Sequence, residues 1–343
     1  MDTTRPLTPQ PLMKIVSGLW ASKTLAAACE LELFTLLSAT GPLTPDAIGD
    51  RLALRPRPTE TLLTACASLG LLDVDAGRYG NSALAEEFLV KGKHYYFGGW
   101  VLGVDAHDYP GWMRLMDALR TDRPTAWDPD ERGSLFDPGD PVMVDFFWQA
   151  MHSLSIFTAS VLADSVDLSD VRHLLDVGGG GAAYDIELCR RYPELTTAIY
   201  DLPFVCELTR PAVEKAGLGD RIELVPGDFF AEPELPGGYD ACLLSMILHD
   251  WSEDDCKELL AKCHRALAPG GRILISELLV DDAKDGPPDA ALMSLTMLVE
   301  TWGRNYTAAE YSGWLEDAGF TQVRVERFDA PGANGVVIAR KPS

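Results

Sequence analysis

The carboxyl-terminal half of the chain alternates between two periodicities. Short apolar runs, rich in branched side chains, stand at RHLLDV, TAIYD, RIELV, YDACLLS and GRILIS. Segments of helical character lie between most of them and begin at Ala182, Pro203 and Ser252. This alternation predicts right-handed strand–helix–strand crossovers and a parallel sheet that helices cover on both faces.

The end of the chain and two helix starts add detail to this prediction. The last two runs, VRVERF and ANGVVIAR, are too close for a crossover helix, so we expect an antiparallel hairpin at the edge of the sheet. Ser252 with Asp255, and Thr307 with Glu310, have the spacing of capping boxes. The predicted fold class is therefore α/β for this part of the chain.

The amino-terminal part has helical spacing instead. Residues 12–38 carry apolar side chains over a broader arc than a one-sided surface helix needs, so a second domain or a second subunit should cover them. A helix with Thr44 as N-cap and Pro45 in its first turn follows. Another helix in TETLLTACASLGLL and two short extended pieces around Gly77 complete the pattern of a winged helix.

Between these parts, the chain reads as further helices with a Pro-, Gly- and Asp-rich break at 121–141. The long helix after the break carries Trp148 and Met151, which either pack in a core or form the wall of a pocket for a planar substrate. We therefore divide the chain into a winged-helix-like domain (1–105), a helical linker that contributes to the substrate pocket (106–165) and a catalytic α/β domain (166–343).

Charge and composition narrow the possible partners. The chain has 29 Lys and Arg against 52 Asp and Glu, a net charge of −23, whereas nucleic-acid binders need a basic surface. The helix in TETLLTACASLGLL has the place of a DNA-recognition helix, but it is acidic and apolar where such a helix would carry Arg and Lys. No apolar run reaches the roughly 18 residues of a membrane span, and no signal-like segment opens the chain, so we expect a cytoplasmic protein. The seven cysteines include no CxxC, which predicts reduced thiols and no metal site.

The first predicted strand ends in a glycine-rich loop, LLDVGGGGAAYDI. Glycines at this place let a cofactor lie against backbone N–H groups at a helix N-terminus. Gly178, Gly180 and Ala183 fit the dinucleotide fingerprint G-x-G-x-x-G/A, which is a weak signal by itself. Asp176, two residues before Gly178, favours a cofactor with an ammonium group over a pyrophosphate.

Acidic residues also stand at the next two strand ends. Asp201 could accept hydrogen bonds from both hydroxyls of a ribose. Asp228 could accept one from an adenine amino group while Phe229 stacks on the ring. Each aspartate could instead be a surface or capping residue. Because ligands bind at the carboxyl ends of such strands, the three together favour a nucleoside cofactor.

The fourth strand leads into LLSMILHDW, which places His249 at the mouth of the same crevice. A lone histidine is more often structural, but at this place it suits a general base that removes a phenolic proton. Glu277 ends the fifth strand. Its carboxylate is either a surface group or the partner that orients His249.

In order and spacing, many of these segments resemble the class I S-adenosylmethionine-dependent O-methyltransferases. The similar branch contains acetylserotonin and caffeate O-methyltransferases, and the likeness is greatest to bacterial aromatic-polyketide enzymes such as the tetracenomycin type. The segments that carry it cover nearly the whole chain: ELELFTLL, KGKHYYFGG, DVGGGG, YDLP, GDFF, LHDW, PGGRILI and MSLTMLVETWGRNYTAAEY.

The resemblance implies a homodimer formed by the amino-terminal domain, a Rossmann-like seven-stranded catalytic domain, and S-adenosyl-L-methionine as cofactor. For the cofactor it implies Asp176, Gly178, Gly180, Asp201, Leu202, Asp228, Phe229, Phe230 and Ser245. For the aromatic substrate it implies Trp148, Met151, His152, Met246, Trp251, Thr296, Met297 and Asn305. The catalytic residues would be His249 as base, Glu277 as its orienting partner, Asp250 and Glu300.

Two positions depart from the family's pattern. The glycine loop usually reads DxGGGxG, and its last glycine is Ala182 here. The plant branch has a second orienting glutamate in the segment where this chain has Asn305. The first change could tighten the loop around the methionine portion of the cofactor. The second leaves the histidine dependent on Glu277 or on Glu300.

The expected activity is methylation of a hydroxyl on an aromatic natural product, a polyketide or an aryl acid, in secondary metabolism. The protein would supply alignment and a base, and the cofactor the electrophile. Three alternatives stay open: a relative that methylates nitrogen or carbon or does not methylate, a nicotinamide-dependent oxidoreductase, and a ligand-sensing winged-helix regulator. The intact LHDW favours O-methylation, because an aryl hydroxyl must lose its proton.

Overall fold

A computed structural model describes residues 7–131, 135, 136 and 141–343, apart from the side chains of residues 141–143 and 145–147. The chain forms two compact units, Met1–Asp105 and Ala106–Ser343. The segment 106–165 thus belongs to the same compact unit as the sheet. Within the described residues, no helix is long and apolar enough to cross a membrane.

The first unit combines helices with one small hairpin. Its elements are α1 (Gln10–Val16), α2 (Gly18–Glu30), α3 (Leu33–Thr40), α4 (Pro45–Leu52), α5 (Pro56–Ser68), β1 (Leu72–Asp75), β2 (Arg78–Asn81), α6 (Ala83–Phe88) and α7 (Gly98–Gly103). The predicted cap of α4 is present, since the Thr44 hydroxyl accepts a hydrogen bond from the Ala47 N–H. Three helices followed by the antiparallel β1–β2 hairpin give the expected winged-helix pattern.

The apolar stretch at residues 12–38 divides into a buried and an exposed part. Leu33, Phe34 and Leu37 of α3 are buried in the core of this unit. In contrast, the apolar side chains at the start of the stretch are 50–76% exposed: Leu12, Ile15, Val16, Leu19 and Trp20. Only the first part therefore leaves a large apolar surface in contact with water.

The second unit begins in the turn Val104–Asp108 and contains the larger sheet. Its elements are α8 (Tyr109–Trp112), α9 (Leu115–Thr121), α10 (Pro141–Ser165), β3 (His173–Val177), α11 (Ala183–Arg191), β4 (Thr196–Asp201), α12 (Pro203–Ala216), β5 (Ile222–Pro226), β6 (Tyr239–Ser245), the 3₁₀ turn Leu248–Asp250, α13 (Glu253–Ala266), β7 (Leu267–Glu277), α14 (Pro288–Glu300), α15 (Ala308–Asp317), β8 (Thr321–Arg327) and β9 (Gly335–Arg340).

The seven strands of this sheet lie in the order β5-β4-β3-β6-β7-β9-β8. Strands β3 to β7 are parallel, whereas β9 is antiparallel to both β7 and β8. The predicted Rossmann-like sheet and its antiparallel edge hairpin are therefore confirmed. The strand order reverses between β3 and β6, and the crevice beyond the carboxyl ends of strands at such a point is where ligands bind.

The strands are buried on both faces, as their nearly continuous apolar sequences require. Side chains alternate between two clusters along each central strand: Leu175 and Val177 pack with α13 and α15, and Leu174 packs with α10 and α11. All seven cysteines are buried and free, as predicted. The sheet is thus a rigid platform for the loops at its carboxyl edge.

The two predicted capping boxes differ in the structure. At α15, the Thr307 hydroxyl accepts from the Glu310 N–H, and the Glu310 carboxylate accepts from the Thr307 N–H. At α13, Ser252 caps the Asp255 N–H, but the Asp255 carboxylate accepts from the Ser252 hydroxyl instead of the backbone. The expected box at Ser252 was therefore only half right, because aspartate is one methylene shorter than glutamate.

The complete capping box should stabilise the start of α15. Thr307→Ala removes one reciprocal bond and weakens the other, so the free energy of unfolding should fall by about 1–2 kcal/mol. Denaturant unfolding followed by circular dichroism measures it. The matched control is Ser312→Ala, whose hydroxyl bonds within the same helix and whose loss should be nearly neutral. Equal effects of the two changes would contradict the prediction.

Candidate active site

The loop between β3 and α11 requires glycine at its first turn. Gly178 has a φ of +75°, and a Cβ there would lie 2.5 Å from the Ile247 side chain. Gly180 has a φ of +52°, and a Cβ there would lie 3.1 Å from the Trp148 ring. Both predicted glycines therefore allow a backbone path that a side chain would block.

Ala182, at the position where the resemblance implies glycine, is also left-handed, with a φ of +61°. This conformation costs a non-glycine residue roughly 1–2 kcal/mol. The methyl group is fully buried in an apolar cluster with Ile186 and Ile199, which offsets part of that cost. The loop thus keeps its left-handed turn without the glycine.

Asp201 ties this loop to the end of β4. Its Oδ2 accepts the Gly180 N–H at 2.9 Å, and its Oδ1 accepts the Leu202 N–H at 2.7 Å. Burial raises the pKa of Asp201 to about 6, although the two backbone bonds act in the opposite direction. Each oxygen has a further lone pair, so the carboxylate can also accept from the two hydroxyls of a ribose.

The turn after β5 presents Asp228 and two phenylalanines. The Asp228 Oδ1 accepts from the N–H groups of Phe230 and Ala231, at 2.8 and 3.1 Å. The Phe229 ring reaches the glycine loop, 3.8 Å from the Cβ position of Gly178. Both phenylalanine rings stand edge-to-face with the Trp251 ring, at centroid distances of 5.9 and 4.7 Å.

The structure therefore groups Trp251 with the residues predicted for the cofactor, although the sequence prediction assigns it to the substrate. Ser245, also predicted for the cofactor, is the buried last residue of β6 and pairs with Ser276 of β7.

Asp176 lies behind the glycine loop and not in the crevice. Its side chain is fully buried, and its Oδ2 is 2.7 Å from the Cβ position of Gly179. Burial, together with the charge of the neighbouring Asp185, raises its pKa well above the usual range. No part of the carboxyl reaches the surface of this structure, and the assignment of Asp176 to the cofactor stays a prediction.

His249 and Glu277 form a short hydrogen bond at the carboxyl edge of the sheet. The His249 Nδ1 lies 2.6 Å from the Glu277 Oε2, and both side chains are buried. The other oxygen, Oε1, accepts the N–H groups of Ile247 and Leu248 at 3.1 Å each. One carboxylate thus holds both the imidazole and the backbone turn that carries it.

These charges control the protonation of His249. Burial by itself lowers its pKa, but the negative charges of Glu277 and Asp250, with the hydrogen bond to Glu277, raise it to about 9. The Asp250 Oδ1 lies 3.7 Å from the His249 Nε2. Burial raises the pKa of Asp250 to about 6, and the charge of His249 lowers it. A bound cation next to this group would lower the pKa of His249 again.

Residues that the sequence did not reveal fix the same turn from another side. The Tyr306 hydroxyl donates to the Trp251 carbonyl at 2.7 Å. Gly303 packs so closely on the backbone of residues 249–251 that a Cβ would clash. Asn305 is buried and donates to the Leu278 carbonyl at 2.9 Å. This bond supports the strand end beside Glu277, and the assignment of Asn305 to the substrate stays a prediction.

Glu300 is paired with a residue that the sequence analysis missed. Its carboxyl hydrogen-bonds to that of Asp108. Burial and the charge of Asp108 raise the pKa of Glu300 well above the usual range. Burial raises the pKa of Asp108 to about 6. Of the two glutamates considered for orienting His249, the one bonded to it is Glu277.

The remaining predicted substrate residues lie on two helices and one turn. His152 of α10 has its Nδ1 3.1 Å from the Gly181 carbonyl, which places this helix against the glycine loop. Met246 has a φ of +55°, and its sulfur is 2.7 Å from the Cβ position of Gly332. Met151 is half-buried, Met297 is buried, and the Thr296 hydroxyl bonds to its own helix. Strain such as that at Met246 is common beside functional sites.

Taken together, the donor set fits a nucleoside with a cationic sulfur. The glycine loop leaves no room for side chains, Asp201 can take a diol, and the turn at Asp228 offers an aromatic face and a carboxylate. Within the described residues, no cluster of metal-binding side chains is found.

Comparison with known proteins identifies the family of the chain. Residues 13–91 match the O-methyltransferase dimerisation domain, and residues 112–321 match the O-methyltransferase domain. The chain is 51% identical to 3-hydroxy-5-methyl-1-naphthoate 3-O-methyltransferase of Streptomyces sahachiroi, over 97% of this chain and 95% of that one. It is 32% identical to the tetracenomycin polyketide synthesis 8-O-methyl transferase TcmO of Streptomyces glaucescens, over 97% of both chains.

Among solved structures, human N-acetylserotonin methyltransferase in complex with SAM matches with a TM-score of 0.86, at 28% identity and with all of both chains covered. The fold, the order of the two domains and the similarity over almost the full length lead to one conclusion. The chain belongs to the O-methyltransferase family, and its cofactor is S-adenosyl-L-methionine.

Proposed function

We propose that this enzyme methylates a phenolic hydroxyl of a bicyclic aryl acid, a hydroxynaphthoate, in secondary metabolism. The observation that carries the proposal is the buried His249–Glu277 pair at the point where the strand order reverses, next to the glycine loop. The 51% identity to a naphthoate O-methyltransferase supports this class of acceptor.

In this mechanism, His249 is the general base. Glu277 accepts a hydrogen bond from the Nδ1–H of His249, so the Nε2 carries the lone pair that takes the phenolic proton. The negative charge of Glu277 then stabilises the imidazolium, and its bonds to the 247 and 248 N–H groups keep the ring in place. S-adenosyl-L-methionine, when bound, supplies an electrophilic methyl group on a positively charged sulfur.

The other residues hold the reactants in line. Asp201, the glycine loop and the turn at Asp228 would bind the nucleoside, while the half-buried side chains of α10 and Met297 of α14 would bound the aromatic acceptor. Asp176 would act indirectly, because its buried carboxyl packs against the glycine loop at Gly179. Alignment of the two reactants supplies a large part of the rate in such transfers.

The protein is proposed to act as a homodimer in the cytoplasm. The exposed apolar side chains of α1 and α2 belong to the part that matches a dimerisation domain, and a second copy would remove them from water.

The first test compares the wild type with His249→Ala on 3-hydroxy-5-methyl-1-naphthoate. The wild type should form the aryl methyl ether and one equivalent of S-adenosylhomocysteine. The variant should lose roughly 10²–10⁴ in turnover, because no base takes the proton. Its affinity for S-adenosylhomocysteine, measured by calorimetry, should stay within about twofold, since Asp201 and the loop are intact.

The control for this experiment is His173→Ala, at the opposite end of β3, which should keep wild-type turnover. Undiminished turnover of His249→Ala below the pKa of the phenol would refute the base assignment. A product methylated on carbon or nitrogen would replace the proposed acceptor atom, and tighter binding of NADH than of S-adenosylmethionine would overturn the function.

A second prediction concerns Glu277→Gln. If the amide oxygen keeps the two backbone bonds, its NH₂ group faces the His249 Nδ1 and forces the ring proton onto Nε2, where the base must be free. Turnover should fall by roughly 10²–10⁴. Loss of the negative charge disfavours the imidazolium, so the pKa of His249 should drop from about 9. NMR titration of the imidazole measures this shift.

Glu253→Gln, on the exposed start of α13, is the matched control and should change neither quantity. An upward shift of the histidine titration, or an unchanged rate, would contradict the role of Glu277.

The assembly gives a third prediction. Light scattering should show two chains per particle for the wild type, and Ile15→Lys should shift the population to monomer, because a charge then replaces a 76% exposed apolar side chain in the interface. Val74→Lys, at an exposed apolar site on the hairpin of the same unit, should stay dimeric. A wild-type monomer at micromolar concentration would exclude the proposed dimer.

A further inference from the structure

Lys262 of α13 is a buried cation that the mechanism above does not use. It is only 3% exposed, whereas lysine is almost never buried without partners. Its Nζ donates to the Phe229 carbonyl at 2.8 Å and to the Glu232 carbonyl at 2.9 Å, and it pairs with the Glu258 carboxylate at 2.9 Å. These three partners match the three donors of an ammonium group.

The two carbonyls belong to the turn that follows β5. Its backbone is closed by a hydrogen bond from the Glu232 N–H to the Asp228 carbonyl at 3.0 Å. The Asp228 side chain satisfies the N–H groups of Phe230 and Ala231. The turn is thus held by Asp228 through its N–H groups and by Lys262 through its carbonyls.

This turn carries the side chains that the proposed function assigns to the nucleoside. Phe229 lies against the glycine loop at Gly178 and against Trp251. Without the ammonium group, two partly buried carbonyls would lose their donor, and such groups are costly to leave unpaired. The turn would then open toward water, and Phe229 would leave its place against the loop.

We propose that Lys262 is a positioning residue for the nucleoside end of the cofactor site: its ammonium group fixes the turn 228–232 and so holds Phe229 and Asp228 in their binding positions. The proposal rests on the proposed assignment of this turn to the cofactor. It adds a residue that does not touch the cofactor but determines its affinity.

The same helix supplies a matched control. Lys257 lies five residues earlier, is exposed, and pairs with Glu253 one helical turn away. Replacement of Lys257 removes a positive charge from α13 without touching the turn. A purely electrostatic effect of the helix on the cofactor would therefore appear in both variants, and the proposed effect only at Lys262.

The test compares Lys262→Met, Lys262→Arg and Lys257→Met in the full-length protein. Calorimetry with S-adenosylhomocysteine should give a Kd about tenfold higher or more for Lys262→Met, and a wild-type Kd for Lys257→Met. The KM for S-adenosylmethionine should rise in parallel, while kcat at saturating cofactor and the KM for the phenol stay within about threefold. Lys262→Arg, which keeps a cationic donor, should recover most of the affinity.

Hydrogen exchange gives a readout that does not depend on activity. Amide protection at residues 230–232 should fall in Lys262→Met and stay unchanged in Lys257→Met. If Lys262→Met does not fold, Lys262→Gln, which retains a donor, replaces it and should show an intermediate loss of affinity.

The outcomes separate two failures. Wild-type affinity and an unchanged KM for the cofactor in a folded Lys262 variant would overturn the positioning role. So would a loss of kcat at unchanged cofactor affinity. Absence of S-adenosylhomocysteine binding by the wild type would instead refute the cofactor assignment of the site.

Discussion

The arrangement of the candidate active site depends on one buried carboxylate, that of Glu277. Its three hydrogen bonds join the end of β7 to the turn that carries His249, so the imidazole and its backbone move as one body with the sheet. A buried carboxylate is costly unless it is fully bonded. The same bonds that make its burial possible therefore fix the position, the tautomer and the charge of the proposed base.

Other buried polar side chains also hold the loops of the site in place. Asp201 holds the glycine loop through the Gly180 N–H, Asp176 underlies the same loop, and Lys262 holds the turn after β5. Tyr306 does the same for the backbone beyond His249. Asp201, Lys262 and Tyr306 each hydrogen-bond directly to the segment that they hold. These contacts hold the loops of the site in fixed positions at the edge of the rigid sheet.

The acidic groups around His249 give the site an unusual charge balance. Asp250 and Glu277 lie beside one imidazole, and the Asp108–Glu300 pair lies close enough to Asp250 for their charges to interact. The resulting pKa of about 9 for His249 suits a site whose cofactor brings a positive charge. The negative charges favour binding of the cationic cofactor, and the bound cation in turn lowers the pKa of His249, so that the imidazole is neutral and can take the phenolic proton.

Four features could be predicted from the amino-acid sequence: the α/β class, the antiparallel edge, the winged-helix pattern and the residues at the strand ends. These features follow from periodicity and from local spacing, which act over a few residues. Contacts between segments far apart in the chain became visible only in the folded structure: Asp108 with Glu300, Lys262 with Phe229, and Asn305 with Leu278. It also decided that Asp176 faces inward, because a side chain at the end of a strand can point to either face, and only the packing of the layers determines which one.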